Sequence, residues 1–168
     1  MRTNETFPLS RPISVERLRR DGTPVTVEAT PAECAALAAD FKIPAVRDLV
    51  GRFTAQGSST RLEVTGTVSA VVTQICTVTL EPFESELVEP VEAAFTDTDV
   101  LEGTDAEEAD VPDPIVGGRI DFGALTAEFL SLGLDPYPRK PGVAFEPLIE
   151  DAEEPPLAVL RKLRPDEG

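Results

Sequence analysis

Histidine is absent from all 168 residues of this chain. Its absence removes the commonest general base, the usual partner of a nucleophilic serine or cysteine, and the commonest metal ligand. What remains for chemistry is two cysteines, Cys34 and Cys76, and a large number of carboxylates. A single thiolate cannot build a structural zinc site. Neither GxxxxGKS/T nor GxGxxG occurs, so no phosphate-cradling loop is recognisable. Paired carboxylates could in principle transfer protons or hold a divalent cation. The acidic run from Asp97 to Asp113 nevertheless lacks the sharp-turn glycine and the ligand spacing of a calcium loop. No catalytic residue, cofactor or metal site is expected. Both cysteines are expected to behave as small buried hydrophobes, Cys76 having no cation or second thiol beside it in the sequence.

The carboxylates carry more information as a field than as ligands. The formal net charge is −16, and residues 61–118 hold one arginine against 14 Asp and Glu. Such a surface repels phosphate backbones and attracts basic proteins or cations. The cations collect elsewhere: Arg17, Arg19 and Arg20 near the start, Arg139 and Lys140 in the last third, and Arg161, Lys162 and Arg164 near the end. Aromatic residues, the stacking platforms of single-strand binders, make up only 5%. Two cysteines are too few for a disulfide framework. No run approaches the roughly 20 apolar residues needed to cross a bilayer, and the first residues lack the apolar run of a signal peptide. These features point to a cytoplasmic protein that does not enter membranes.

The elements that position these groups follow from punctuation and periodicity. Pro12, Ile13 and Val15 read as an extended start, closed by a turn around residues 16–20 and by Asp21-Gly22. Val25, Val27 and Ala29 alternate with polar residues and predict a short strand. Thr30-Pro31 is a helix start, and Cys34, Leu37 and Phe41 share one face of the helix that follows. Three β-prone stretches come next, at about 46–54, 61–78 and 80–95. The central one places Leu62, Val64, Gly66 and Val68 on one face. Glu84, Glu86 and Glu92 read as the solvated face of the third. Residues 96–114 predict a mobile acidic loop. Asp121 is a candidate cap for a helix over 122–133 whose apolar face carries Leu125, Phe129 and Leu132. Residues 1–145 are thus expected to form one compact α+β domain, an antiparallel meander or partly closed sheet with two packed helices. Residues 146–168 are expected to form a flexible tail carrying a short docking helix at 157–164, with Leu157, Leu160 and Leu163 on one side and Arg161, Lys162 and Arg164 following.

Three stretches together resemble the YceD family, also called domain of unknown function 177. They are Cys76-Thr77-Val78-Thr79-Leu80-Glu81-Pro82-Phe83; Gly118-Arg119-Ile120-Asp121-Phe122-Gly123-Ala124-Leu125, with the helix that continues from it; and Pro156-Leu157-Ala158-Val159-Leu160-Arg161-Lys162-Leu163. The first is similar to a segment in which many members have CxxC, the second to the family's "IDL" entry, and the third to its closing "PFAVLxxLK". Pro136-Tyr137-Pro138-Arg139-Lys140-Pro141-Gly142 is similar to the alphaproteobacterial branch. The resemblance implies a role in accumulation of large-subunit ribosomal RNA, and no known catalytic residues. Thr79 stands where many relatives have the second cysteine, so a metal site does not carry over. The expectation is a non-enzymatic assembly factor that binds a basic ribosomal protein or assembly intermediate. Its candidate partner-binding residues are Arg139, Lys140, Leu157, Leu160, Arg161, Lys162, Leu163 and Arg164. Direct binding of ribosomal RNA through the cations is the alternative.

Overall fold

The computed structural model describes residues 8–97 and 112–144. Strands β1 (Pro12–Ser14) and β2 (Thr23–Glu28) are separated by a 3-10 turn at Val15–Arg17. They are followed by α1 (Pro31–Phe41), β3 (Ala45–Ser58), β4 (Arg61–Ile75), β5 (Pro82–Asp97), β6 (Asp113–Ile115), β7 (Arg119–Asp121) and α2 (Phe122–Gly133). The architecture is α+β. Five strands form a sheet in the order β2-β3-β4-β5-β6, and β1 pairs with β7 in a separate two-stranded ribbon. The sheet is open, so of the two arrangements expected the meander is the one found.

Three long strands follow one another through tight turns, and every pairing from β2 to β5 is antiparallel. β6 departs from this pattern and lies parallel to the end of β5, with Phe95 opposite Asp113. The stretch read as an acidic loop is therefore strand at its described ends, and its interior, 98–111, lies outside the described residues. The hairpin between β3 and β4 is also tighter than expected, because pairing continues to Ser58 and Arg61. Period-two alternation sets the inner face: Leu62, Val64, Val68, Ala70 and Val72 of β4 meet Phe53 and Ala55 of β3 and Leu87, Val91 and Phe95 of β5 in one core. Gly66 continues the Leu62-Val64-Val68 row. A Cβ there would collide with the Arg52 carbonyl oxygen, so the two central backbones come closer than any other residue allows.

Both helices lie on this inner face. α1 begins with a full capping box: Thr30 Oγ1 accepts from the Glu33 amide while the Glu33 carboxylate accepts from the Thr30 amide. It buries Cys34, Leu37 and Ala38, with Phe41 half-buried against the core. It ends at Lys42, which is left-handed at φ 56°. The second helix runs over the residues expected, but its buried face differs. Phe122, Leu125, Thr126 and Leu130 point inward, Phe129 packs at the margin, and Leu132 is exposed. Phe122 turns the face toward β3, where its ring tilts against Phe53 at 5.6 Å between centroids. Thr126 is accommodated because its hydroxyl donates to the Phe122 carbonyl at 2.7 Å.

Candidate functional site

The segment after α2 is fixed to the far end of β4 by polar contacts. Gln74 Nε2 donates to the Asp135 carbonyl at 3.0 Å, and the Thr77 amide donates to the Pro138 carbonyl at 2.8 Å. The Lys140 amide donates to Cys76 Sγ at 3.4 Å, and the Lys140 ammonium lies 3.4 Å from Glu81. Arg139 and Lys140 are consequently presented at the tip of the β4–β5 hairpin, both exposed, beside exposed Leu80 and Tyr137. The other expected partner-binding residues, Leu157, Leu160, Arg161, Lys162, Leu163 and Arg164, lie outside the described residues.

Cys76 is buried as expected, but it is not merely a small hydrophobe. Its sulfur faces the amides of Lys140 and Thr79, the latter at 3.5 Å. Hydrogen bonds from Lys140 and Thr79 lower its pKa to about 6, against the burial that opposes the thiolate. The turn around it is tight: the Cys76 amide donates to the Glu81 carbonyl, the Leu80 amide donates to the Cys76 carbonyl, and Leu80 is left-handed at φ 59°. The sequence placed no cation beside Cys76. The fold places a backbone amide there, from 64 residues away, which no local pattern could reveal. Cys34 fits the simpler expectation, burial pushing its thiol up. Among the described residues, no three His, Cys, Asp or Glu side chains come together as a metal site.

The outer face of the sheet carries a row of exposed carboxylates. On β5, Glu84, Glu86, Val88, Pro90 and Glu92 point to solvent, while Leu87 and Val91 point to the core. Opposite them on β4 stand Thr73, Val71, Ser69, Thr67 and Thr65. Arg47 reaches across from β3 to grip Glu84 with two hydrogen bonds, at 3.1 and 3.2 Å. That contact holds the Glu84 carboxyl below its ordinary range. Among the described residues Glu86 and Glu92 make no salt bridge.

The cations of the described residues do not form one patch. Arg17, Arg19 and Arg20 are exposed near the β3–β4 turn, where the Gly57 amide donates to the Arg20 carbonyl. Arg139 and Lys140 sit at the β4–β5 turn, the other end of the 15-residue β4, about 45 Å away at the usual strand rise. Arg11 has a structural duty: its guanidinium forks onto Glu33 at 2.8 and 3.0 Å and ties the N-terminal segment to α1.

No described helix is long and apolar enough to cross a membrane. No curated protein and no solved structure matches the chain. A family model described as large ribosomal RNA subunit accumulation protein YceD matches residues 64–164. The match begins inside β4, takes in β5, both short strands and α2, and extends beyond the described residues.

Proposed function

The chain belongs to the YceD family of large ribosomal RNA subunit accumulation proteins, and on that premise we propose that it is a non-catalytic cytoplasmic assembly factor that binds a basic ribosomal protein or an assembly intermediate. The observation that carries this reading is the outer face of β5, where Glu84, Glu86 and Glu92 project from one strand and, among the described residues, Arg47 is the one cation that pairs with any of them, at Glu84. Carboxylates fixed on a sheet hold their spacing without the ordering cost that a loop would incur. They attract a basic protein and repel an RNA backbone. Arg139 and Lys140, with Leu157, Leu160, Arg161, Lys162, Leu163 and Arg164 beyond them, supply a second docking element of mixed apolar and basic character. The absence of histidine supports a role without catalysis.

The alternative is direct contact with ribosomal RNA, and the exposed Arg17, Arg19 and Arg20 favour it. Their distance from Arg139 and Lys140 counts against a continuous basic track. An affinity pull-down with proteins and RNA identified separately distinguishes the two. Basic large-subunit proteins that stay bound after nuclease treatment, and are lost when Glu84, Glu86 and Glu92 are replaced by glutamine, support the first reading. RNA that stays bound after its proteins are stripped away overturns it in favour of the second.

A further inference from the structure

β5 is 16 residues long, yet β6 pairs with it only at residues 95–97. On that side residues 82–94 have no strand beside them among the described residues. No described backbone hydrogen bond outside the β4 ladder reaches residues 83–94. A bare edge of this length is a template for another strand.

Its polarity can be read from its prolines. Residues of an antiparallel strand turn their N–H and C=O alternately to the two sides, and the pairing of β5 with β4 runs without a bulge from Pro82 to Phe95. Pro82 and Pro90 therefore face the same side. A residue without an N–H belongs on the side that has no ladder. The backbone groups of Glu84, Glu86, Val88 and Glu92 then face the open edge, while their side chains stand on the exposed outer face. A second copy of this chain would set glutamate against glutamate, which like-charge repulsion disfavours.

We infer that the open edge of β5 takes an extended basic segment of its partner as an added strand. Residues directly opposite Glu84 and Glu86 are lysine or arginine, and the residue opposite Val88, which is 66% exposed, is apolar. Read along the direction of β5, the recognised pattern is basic-x-basic-x-apolar, so an antiparallel partner reads apolar-x-basic-x-basic in its own direction. Main-chain hydrogen bonds supply affinity and the alternate side chains supply selectivity. This deepens the reading above and rests on it.

The test uses the full chain and a labelled synthetic peptide of alternating lysine and threonine with one valine, followed by fluorescence anisotropy and amide hydrogen exchange. A control peptide of the same sequence is N-methylated at alternate backbone nitrogens, which keeps its charge and removes its ladder donors. Expected results are slowed exchange at Glu84, Glu86 and Val88 with the plain peptide, and binding at least about tenfold weaker for the control, a loss equal to about 1.4 kcal/mol. Replacing both Glu84 and Glu86 by glutamine weakens binding about fivefold, as two cross-strand ion pairs would. Glu86→Pro abolishes it by removing one outward donor, and the peptide comparison on the unaltered chain stands whether or not that variant folds. Equal binding of the two peptides, or binding of neither, overturns strand addition. Amides at 84, 86 and 88 already protected without peptide overturn it too, in favour of this chain's own tail if protection vanishes on deleting 145–168, or of a second copy if it vanishes on dilution. If the pull-down recovers a basic protein while the two peptides bind alike, the partner reading stands and only the strand fails. If it recovers none, the partner reading fails.

Discussion

Replacing Asp121 tests how the N-terminal segment is held to the rest of the fold. One oxygen of this side chain, Oδ1, accepts from the amides of Gly123 at 2.9 Å, Ala124 at 3.0 Å and Arg11 at 2.7 Å, while Oδ2 accepts from the Ser10 hydroxyl at 2.5 Å. Burial alone would raise this carboxyl, but the hydrogen bonds from Ser10, Arg11, Ala124 and Gly123 prevail and hold it below the usual aspartate range. Asp121→Ala removes a helix cap worth about 1 kcal/mol. It also leaves the Arg11 amide without its acceptor, a further cost of about 2 kcal/mol. The expected loss is about 3 kcal/mol, or roughly 6–12 °C in Tm for a chain of this size. Asp121→Asn keeps an oxygen where Oδ1 stood, and with it the three amides. It exchanges the charged Ser10 bond for a weaker neutral one, in which the Ser10 hydroxyl accepts from the new amide nitrogen, and it loses the charge at the helix N-terminus, for about 1 kcal/mol. Circular dichroism melts of the two variants give the difference. Amide exchange should show Arg11, Gly123 and Ala124 unprotected in the alanine variant alone. A loss below about 1 kcal/mol for alanine, or equal losses for both variants, would refute the reasoning.

Cys76→Ser should flatten the pH dependence of stability between about 6 and 9: the folded thiol titrates near 6 and the unfolded one near its ordinary value of 9, so the unfolded chain binds the extra proton in that window and stability rises with pH. Thermal melts at several pH values check this, and a slope unchanged by the substitution would place the thiolate elsewhere. Hydrogen bonds from Arg11 and Thr30 lower the Glu33 pKa to about 2 from 4.5, so its stabilisation is full above 4.5 and disappears as pH falls toward 2. Glu33→Gln should cost about 1 kcal/mol at pH 7, allowing for the solvent around the pair, and only a small fraction of that at pH 2, where half of the folded carboxyls are protonated; urea titrations at both pH values measure it. Gly66→Ala should cost about 1–3 kcal/mol, because the Cβ meets the Arg52 carbonyl in a backbone contact that has nowhere to move; denaturant unfolding that leaves it within about 0.5 kcal/mol of the parent would show that the sheet can spread.

Where one residue's neighbours in the chain decide its state, the sequence was legible. Thr30-Pro31 with Glu33 announces the start of α1, and Asp121 announces that of α2. Alternation around Leu62 and Val64 gives β4 its buried face. Glu84, Glu86 and Glu92 were readable as a solvated row by the same rule. Leu132 misled because a helix face is chosen by what lies opposite, here Phe53, against which Phe122 packs. β6 was hidden by its length of three residues and by acidic neighbours that read as loop. The environment of Cys76 was not accessible to local reading, since Lys140 arrives only once α2 has packed. The edge of β5, which no other described strand covers over residues 82–94, was equally silent, being a property of strand order and not of composition.

The ribbon of β1 and β7 has a bearing on synthesis. Ile13 pairs with Ile120, and Leu9, with no exposed surface in the finished fold, lies just before that ribbon. At roughly 5–20 residues per second on the ribosome, the partner strand follows about 5–20 s later. Throughout that interval the β2–β3–β4–β5 meander can assemble from elements that neighbour one another in the chain, while Leu9 and Ile13 wait. The strand around Ile13 is therefore locked in place only after the segment around Ile120 has been made, and until then Leu9 and Ile13 lack the neighbours that cover them in the finished fold.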